Sequence, residues 1–412
     1  MASLPDDVRD ALRPLLPPSH SIVHAEHLTD LWAGYGAIFR LTLSSAPPPS
    51  SSSSPPPSRY TLILKYIDAP APSSSSSLSS ERKRISYVVE TNFYARFRTR
   101  LPADVHAPSL VGTALTSRGG RATLLTDLRD GFPEFAEKRA TLSPSQVHLA
   151  VEWLAKYHAT FSGLAQRVDL DDFFPPPSVP SSSPSGTDDG DRTGLWRQGG
   201  YTYLSTRLSE LAAIAPTSKW GRLGLHKDSP LPYAIDWCLR SPRLRSRLTL
   251  CHGDVKAANM AFSSPSSSSS SAGQAVAFYD FQYPGLSLGV QDLAKFFATS
   301  IPTSLLSPSA SADELLKMYH DILIDALPLD QLGIRDAHEA RTQWYPLADL
   351  EADFDLALVA WTCFLAGWSG GFWGNVAWLT DRAERLLCDE AWTAAVLQRW
   401  RHEGKGEMPD GS

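Results

Sequence analysis

Cysteine is scarce in this chain: four in 412 residues, Cys238, Cys251, Cys363 and Cys388, with no two in C-x-x-C spacing. That excludes a disulfide scaffold and a zinc finger, and it suits a reducing, cytoplasmic setting. Basic charge is not in excess either, since 38 Lys and Arg face 44 Asp and Glu for a formal net charge of −6. A face for a nucleic-acid backbone or an anionic membrane is therefore not expected. No repeat period is visible. The first residues, "MASLPDDVRDALRPLL", carry acids early and no long apolar run, so neither a secretory signal nor a transit peptide is expected there. Their spacing predicts a short amphipathic helix with Val8, Leu12, Leu15 and Leu16 on one face. One apolar stretch, Leu356 to Leu379, lacks charge for long enough to span a bilayer. Gly367, Gly370, Gly371 and Gly374 interrupt it, and its four tryptophans are spread along it rather than gathered at its ends. Two buried helical pieces around a glycine-rich bend are expected, with no membrane partner.

Serine and proline, by contrast, are concentrated in four runs: "SSAPPPSSSSSPPPS" (44–58), "APAPSSSSSLSS" (69–80), "PPPSVPSSSPSG" (175–186) and "SSPSSSSSSAG" (263–273). Such segments bury too little apolar surface to offset their ordering entropy, so they are expected to be mobile insertions in surface connections. They outline the elements between them. "AIFRLTL" (37–43) and "RYTLILKYI" (59–67) read as a hairpin with a swollen turn. "RKRISYVVETNFYARFRTRL" has helical spacing, and "RATLLTDL" (121–128) reads as another strand. "SPSQVHLAVEWLAKYHATFSGL" (143–164) is a long helix capped by Ser143 or Ser145. "NMAF" and "AVAFYDFQ" are two short strands around the last insertion. Strands first and helices later imply an α+β protein of two lobes, a small β-rich one over 1–128 and a larger helical one over 129–412.

The chemistry concentrates in "CHGDVKAANM" (251–260). Asp254 and Asn259 fall on a loop between apolar runs, and "AVAFYDFQ" delivers Asp280 at a strand end. An insertion that merely swells a hairpin turn leaves its arms paired, so Asn259 and Asp280 are expected side by side with Asp254 close by. Two carboxylates and one amide oxygen make a hard-oxygen set suited to Mg²⁺. Phosphoryl transfer uses such a group, one aspartate deprotonating the attacking hydroxyl while other oxygens hold metal against phosphates. A polar turn capping its own backbone would account for H-x-D alone. It does not account for Asn259 five positions on and "DFQ" after an apolar strand. In the first lobe, Lys65 interrupts an apolar strand on the face of Ile63 and Ile67, and Glu90 shares a helical stripe with Tyr87, Tyr94 and Phe97. Burying either charge alone is expensive, so a mutual ion pair is expected.

"CHGDVKAAN" followed by "YDFQ" and "QDLAKF" resembles the aminoglycoside phosphotransferase and choline kinase-like superfamily. "YVVETNFY", "GLWRQGGY" and "DFQ" are most similar to its CHK-type, ecdysteroid-kinase-like branch, and the likeness runs from about Leu31 to Trp392. The resemblance implies a bilobal protein-kinase-like fold, ATP with Mg²⁺ in the cleft, and a small-molecule hydroxyl as acceptor, with no obligate protein partner. It makes Asp254 the base, Asn259 and Asp280 the Mg²⁺ ligands, Lys65 the phosphate lysine and Glu90 its partner. It puts Thr126, Asp127 and Leu128 at the inter-lobe hinge, whose backbone would bind adenine. The nucleotide-covering loop would be "AGYGAIFR", with only Gly34 and Gly36. Lys256 has two open roles, reaching the γ-phosphate or facing solvent. His252 is expected to brace the loop, and Asp292 to cap the next helix and hold the loop. Trp196 and Tyr201 either line an acceptor pocket or pack in the core, and the same choice stands for Trp361, Trp368, Trp373 and Trp378. Only Phe281 to Gln291 separate Asp280 from "DLAKF", which leaves no room for the activation segment of a protein kinase. Two other classes are weighed: a catalytically inactive nucleotide-binding scaffold, which would be marked by a lost Asp254 or Asp280, and a metal hydrolase, for which further histidines are missing.

Overall fold

The computed structural model describes residues 4–31, 34–45, 59–68, 78–175, 194–264, 273–306 and 312–404. The four Ser/Pro-rich runs lie largely outside the described residues. The first lobe is built on a five-stranded antiparallel sheet of β1 (His20–Asp30), β2 (Gly36–Ser45), β3 (Arg59–Ile67), β4 (Leu110–Leu115) and β5 (Arg121–Thr126), in the order β1-β2-β3-β5-β4. Period-two alternation gives the sheet two different faces. Phe39, Leu41, Leu43, Leu62, Leu64 and Leu124 point to one side, where Val8 and Leu12 of α1 (Asp6–Leu12) and Leu4 just before it cover them. Leu15 and Leu16 pack partly buried against the same cluster, but the helix expected to carry them ends at Leu12, Leu15 closing a 3₁₀ turn and Leu16 being extended. The opposite face carries Ile63, Lys65 and Ile67, with Lys65 in register between Ile38 and Thr123.

The hairpin of β2 and β3 is the one expected from the sequence. Two strands were not expected. β1 and β4 are the two edges of the sheet, and their side chains are half-buried or exposed throughout. Edge strands lack the apolar alternation that marks a strand with one face in the core. The expected strand over 121–128 ends at Thr126, because the Asp127 carboxylate accepts the Arg129 amide at 3.0 Å and opens a short 3₁₀ turn, Leu128–Asp130.

From the sheet, α2 (Leu78–Asn92) passes into a wider π turn, Phe93–Phe97. The second lobe is organised around α3 (Pro144–Phe161), capped by Ser143 rather than Ser145. The Ser143 hydroxyl accepts the Gln146 amide while the Gln146 side chain accepts the Ser143 amide, a reciprocal capping box. The helix stops at Phe161, three residues before the expected end, where Gly163 turns left-handed at φ 70°. Around it lie α4 (Leu231–Arg240), α5 (Val290–Thr299), α6 (Ala312–Asp325), α7 (Leu347–Gly367), α8 (Val376–Cys388) and α9 (Glu390–Glu403). The uncharged stretch from Leu356 to Leu379 is the end of α7, a glycine-rich bend and the start of α8, as expected. No helix among the described residues is long and apolar enough to cross a membrane. Short strands complete the lobe: β6 (Glu134–Phe135), β7 (Thr249–Cys251), β8 (Met260–Phe262), β9 (Val276–Phe278) and β10 (Gly285–Ser287). β8 and β9 pair antiparallel with Met260 opposite Phe278, so the hairpin read across the last insertion is present. The result is a β-sheet N-terminal region and a helical C-terminal region, the α+β class expected from the sequence.

Candidate active site

Lys65 is the only buried charged side chain of β3, and the alternation turns it toward α2, where Glu90 faces it. Its Nζ donates to Glu90 Oε2 at 2.6 Å and to Asp280 Oδ1 at 3.1 Å. Both Lys65 and Glu90 are buried, at 5% and 3% exposure, whereas a third of the Asp280 side chain stays open. Burial acts to lower the Lys65 pKa, but Asp280 and Glu90 together outweigh it and hold the ammonium above the usual lysine range. Burial acts on Glu90 in the other direction, raising its pKa against the opposing charge of Lys65. One lysine thus joins a strand, a helix and the end of another strand from the second lobe.

Asp280 holds its place by backbone and neighbour. Its φ of 67° is left-handed, a conformation only Arg139 shares among the described non-glycine residues. The next residue, Phe281, is fully buried and stacks on Phe93 at 4.0 Å and 9°, which ties the turn to the end of α2. Trp196 donates its Nε1 to the Gln282 carbonyl at 3.0 Å and is itself buried, so it packs and braces this turn instead of lining a pocket.

The loop after β7 is pinned from below. Asp292, in the first turn of α5, accepts the His252 amide at 2.6 Å and the Gly253 amide at 2.9 Å. The expected helix cap is not its role, since Gly289 occupies that position; its carboxylate is spent on the loop. His158 Nε2 lies 3.2 Å from the same carboxylate and its Nδ1 is 2.8 Å from the Tyr319 hydroxyl, so the anchor is itself held. His252 accepts the Asp254 amide on Nδ1 at 3.3 Å and donates from Nε2 to the Tyr279 carbonyl at 3.1 Å, the bracing expected of it. Burial lowers its pKa, which favours this neutral form. Gly253 has φ 80°, and a Cβ there would meet the Tyr283 carbonyl oxygen at 2.3 Å, so glycine is required.

This scaffold presents Asp254, 6% exposed, between two lysines. Lys256 donates to its Oδ2 at 2.7 Å, and Lys295 donates to its Oδ1. Burial acts to raise the carboxyl, but the ammonium groups of Lys295 and Lys256 outweigh it and hold Asp254 well below the usual carboxylate range. Asn259 donates its Nδ2 to the Asp254 carbonyl at 2.9 Å and to Asp254 Oδ2 at 3.2 Å, which leaves its Oδ1 as the donor atom open to a cation. Tyr279 donates its amide to the Asn259 carbonyl at 3.1 Å, so Asn259 and Asp280 end adjacent hairpin arms as expected. Among the described residues no three His, Cys, Asp or Glu side chains converge as a closed metal cage would need. A hard cation that arrives with phosphate oxygens and keeps its waters asks for less, and Asn259 Oδ1 with the half-open Asp280 carboxylate fits it.

Other expected residues fall near this centre with different surroundings. Gly36, at φ 137°, sits in the β1–β2 turn so close to β3 that a Cβ would lie 2.0 Å from the Tyr66 carbonyl oxygen, whereas the position of Gly34 is open. Asp127 is used by its side chain: Arg40 donates to it at 2.8 Å and Thr61 at 2.9 Å. Thr126 accepts the Ser109 amide at 2.9 Å, and Leu128 begins the 3₁₀ turn. Tyr201 faces Lys295, whose Nζ lies 4.4 Å from its ring centre, and Trp361 stands 5.5 Å from the same ammonium. Lys295 is the residue that sequence reasoning missed. The available signal was a lysine between Ala294 and Phe296 in an otherwise apolar stripe of "QDLAKF", a buried charge in need of a counter-ion. Beyond it opens a cavity lined by Tyr203, Arg207, Ile235, Lys295, Trp361 and Phe364, reaching Gly253 of the loop.

Residues 238–332 match the model of the ecdysteroid kinase-like family, a segment spanning the loop, the DFQ turn and α5. This agrees with the superfamily that the HGD and DFQ motifs resemble. No curated protein matches the chain. Among solved structures, the chain is similar to an ethanolamine kinase of Plasmodium vivax at 13% identity and a TM-score of 0.42, over 97% of this chain and 89% of that one. It is similar to the GDP complex of an aminoglycoside 2'-phosphotransferase mutant at 10% identity and a TM-score of 0.42, over 97% of this chain and 96% of that one. An amicoumacin kinase in complex with AMP-PNP and Ca²⁺ matches at 10% identity and a TM-score of 0.39, over 90% of this chain and 89% of that one. At this level of likeness, the functional reading rests on the chain's own side chains.

Proposed function

We propose that this protein is an ATP-dependent small-molecule kinase that moves the γ-phosphoryl group to an alcohol. The observation that carries the reading is Lys65 held between Glu90 and Asp280 within hydrogen-bond distance of both. A purely structural ion pair needs one carboxylate. A second, left partly open at a strained turn beside Asn259, fits a lysine aimed at phosphates and a carboxylate shared with a metal.

Under this reading, Lys65 meets the α- and β-phosphates, oriented by Glu90. Asn259 Oδ1 and Asp280 would hold Mg²⁺, which supplies charge neutralisation at the transferring phosphoryl group. The backbone of the β1–β2 turn around Gly34 and Gly36 covers the phosphates, and the segment Thr126 to Leu128 presents backbone groups to adenine. Asp254 accepts the proton of the acceptor hydroxyl. Its low pKa makes it a weak base at rest, and drawing Lys256 away toward the γ-phosphate removes one of the two charges that depress it. Lys256 then serves phosphate and Lys295 keeps the carboxylate oriented.

The test is thermal unfolding with ATP, with and without Mg²⁺. A ligand at about a hundred times its Kd adds about 2.7 kcal/mol, which a melting shift reports. The expected result is a Mg²⁺-dependent rise in the native protein that Asp280→Ala loses. An equal rise in the variant would remove Asp280 from the metal site, and no rise at saturating ATP would end the kinase reading.

A further inference from the structure

Among the described residues, the cavity beside Asp254 has donors to spare and no free carboxylate. Two carboxylates line it, and both are engaged. Asp236 accepts the Leu204 amide at 3.2 Å and pairs with Arg240 at 2.7 Å. Asp292 is spent on the His252 and Gly253 amides. The donors differ. Trp361 is buried at 5% exposure, and its Nε1 has no hydrogen-bond partner among the described residues. Leaving such a group buried and unpaired is costly, so a ligand atom that accepts from it is favoured. Lys295 has three protons and a single carboxylate oxygen, on Asp254, as its hydrogen-bond acceptor, with the Tyr201 and Trp361 rings beside it. Arg207 lies over the Tyr201 and Phe364 rings at 5.3 Å and 5.1 Å and shares Glu210 at 2.9 Å. Arg82 of α2 adds a second guanidinium to this side, with a buried Nε that has no partner among the described residues. Its pKa is lowered by burial and by the charge of Arg207.

Resting on the phosphotransferase reading above, we propose that the acceptor is a hydroxy acid: an alcohol on a largely apolar ring body bearing a carboxylate, whose oxygens are met by Trp361 Nε1, Lys295 and Arg207. Its hydroxyl points to Asp254, the aromatic walls take the ring, and the cations take the acid. The reaction balances as alcohol plus ATP to phosphate ester plus ADP. The acceptor oxygen bonds the γ-phosphorus, the bond from that phosphorus to the β-γ bridging oxygen breaks, and the hydroxyl proton passes to Asp254 and then to water. An ammonium-bearing acceptor is selected against, because it would meet like charge at Lys295 and Arg207 and find no open carboxylate.

The experiment follows the Trp361 indole nitrogen by NMR in nitrogen-15-labelled protein with AMP-PNP and Mg²⁺, Trp361→Phe assigning the signal among twelve tryptophans. The probes are cholate and 4-hydroxyphenyllactate as hydroxy acids, cholate methyl ester as the uncharged control, and choline and kanamycin as cationic alcohols. The expected result is movement of the Trp361 signal by the acids, binding of the ester weaker by about tenfold or more, and loss of the response in Lys295→Met. Movement by choline or kanamycin, equal binding of ester and acid, or no response to either acid overturns the proposal. The two readings are separable in the same sample. A Mg²⁺-dependent nucleotide melting shift without acid binding sinks the hydroxy-acid assignment alone, whereas absence of the nucleotide shift sinks the kinase reading and this one with it.

Discussion

Asp254→Asn is expected to lower phosphoryl transfer by about a thousandfold or more while leaving Mg²⁺-nucleotide affinity within about threefold. The asymmetry follows from its position. Asp254 makes no hydrogen bond or ion pair with Lys65, Glu90 or Asp280; its partners are Lys256, Lys295 and Asn259. Asparagine keeps the volume and one oxygen for Lys295, so the side chain stays oriented and only the base is lost. Asp254→Ala is the harsher change. It strips the counter-charge from Lys295, buried at 4% exposure, and removing one partner of a buried pair costs about 3–5 kcal/mol. Its loss of activity would mix chemistry with unfolding, and a melting curve beside the turnover measurement separates the two. Phosphate or phosphoester production from γ-labelled ATP is the readout. An Asp254→Asn protein that turns over at the native rate would show that Asp254 is not the base.

Lys65→Met carries the second large effect, and it acts on the other side of the cleft. Methionine fills the stem's space in β3 but leaves Glu90 and Asp280 without the ammonium between them. Binding of Mg²⁺-ATP is expected to weaken by about a hundredfold, and transfer to fall by about 10²–10³ beyond that, since the lysine acts on charge that develops at the phosphates. Lys65→Arg is expected to rescue poorly, because a forked guanidinium does not reproduce a point charge held at 2.6 Å and 3.1 Å by two carboxylates. Titration calorimetry with AMP-PNP and Mg²⁺ reads the affinity, and the same turnover assay reads the rate. Unchanged affinity and rate in Lys65→Met would reduce the triad to an internal ion pair.

Much of this site is legible in the amino-acid sequence alone, for a common physical reason. A charge in an apolar strand or stripe must find a partner, so Lys65 and Glu90 announced each other. A hairpin keeps its arms paired whatever its turn contains, so Asn259 and Asp280 were brought together across 21 positions. What was not legible depends on three-dimensional placement. Lys295 was missed, because its counter-ion, Asp254, lies 41 positions away and meets it only where α5 packs under the loop. Asp292 was expected both to cap its helix and to hold the loop; the loop amides take its carboxylate, and Gly289 stands at the cap. Trp196 and Tyr201 carried the same two options in the sequence, and only their neighbours separate them: a carbonyl of the DFQ turn for one, the Lys295 ammonium for the other. β1 stayed hidden because an edge strand facing solvent needs no apolar alternation.

The most direct test of the central claim is a crystal of the protein with AMP-PNP and Mn²⁺ in place of Mg²⁺, read by the anomalous signal of the manganese. The account predicts a peak at coordination distance from Asn259 Oδ1 and the Asp280 carboxylate, bridging phosphate oxygens, with Lys65 turned to the α- and β-phosphates. Nucleotide bound without metal contact to either Asn259 or Asp280 would contradict it.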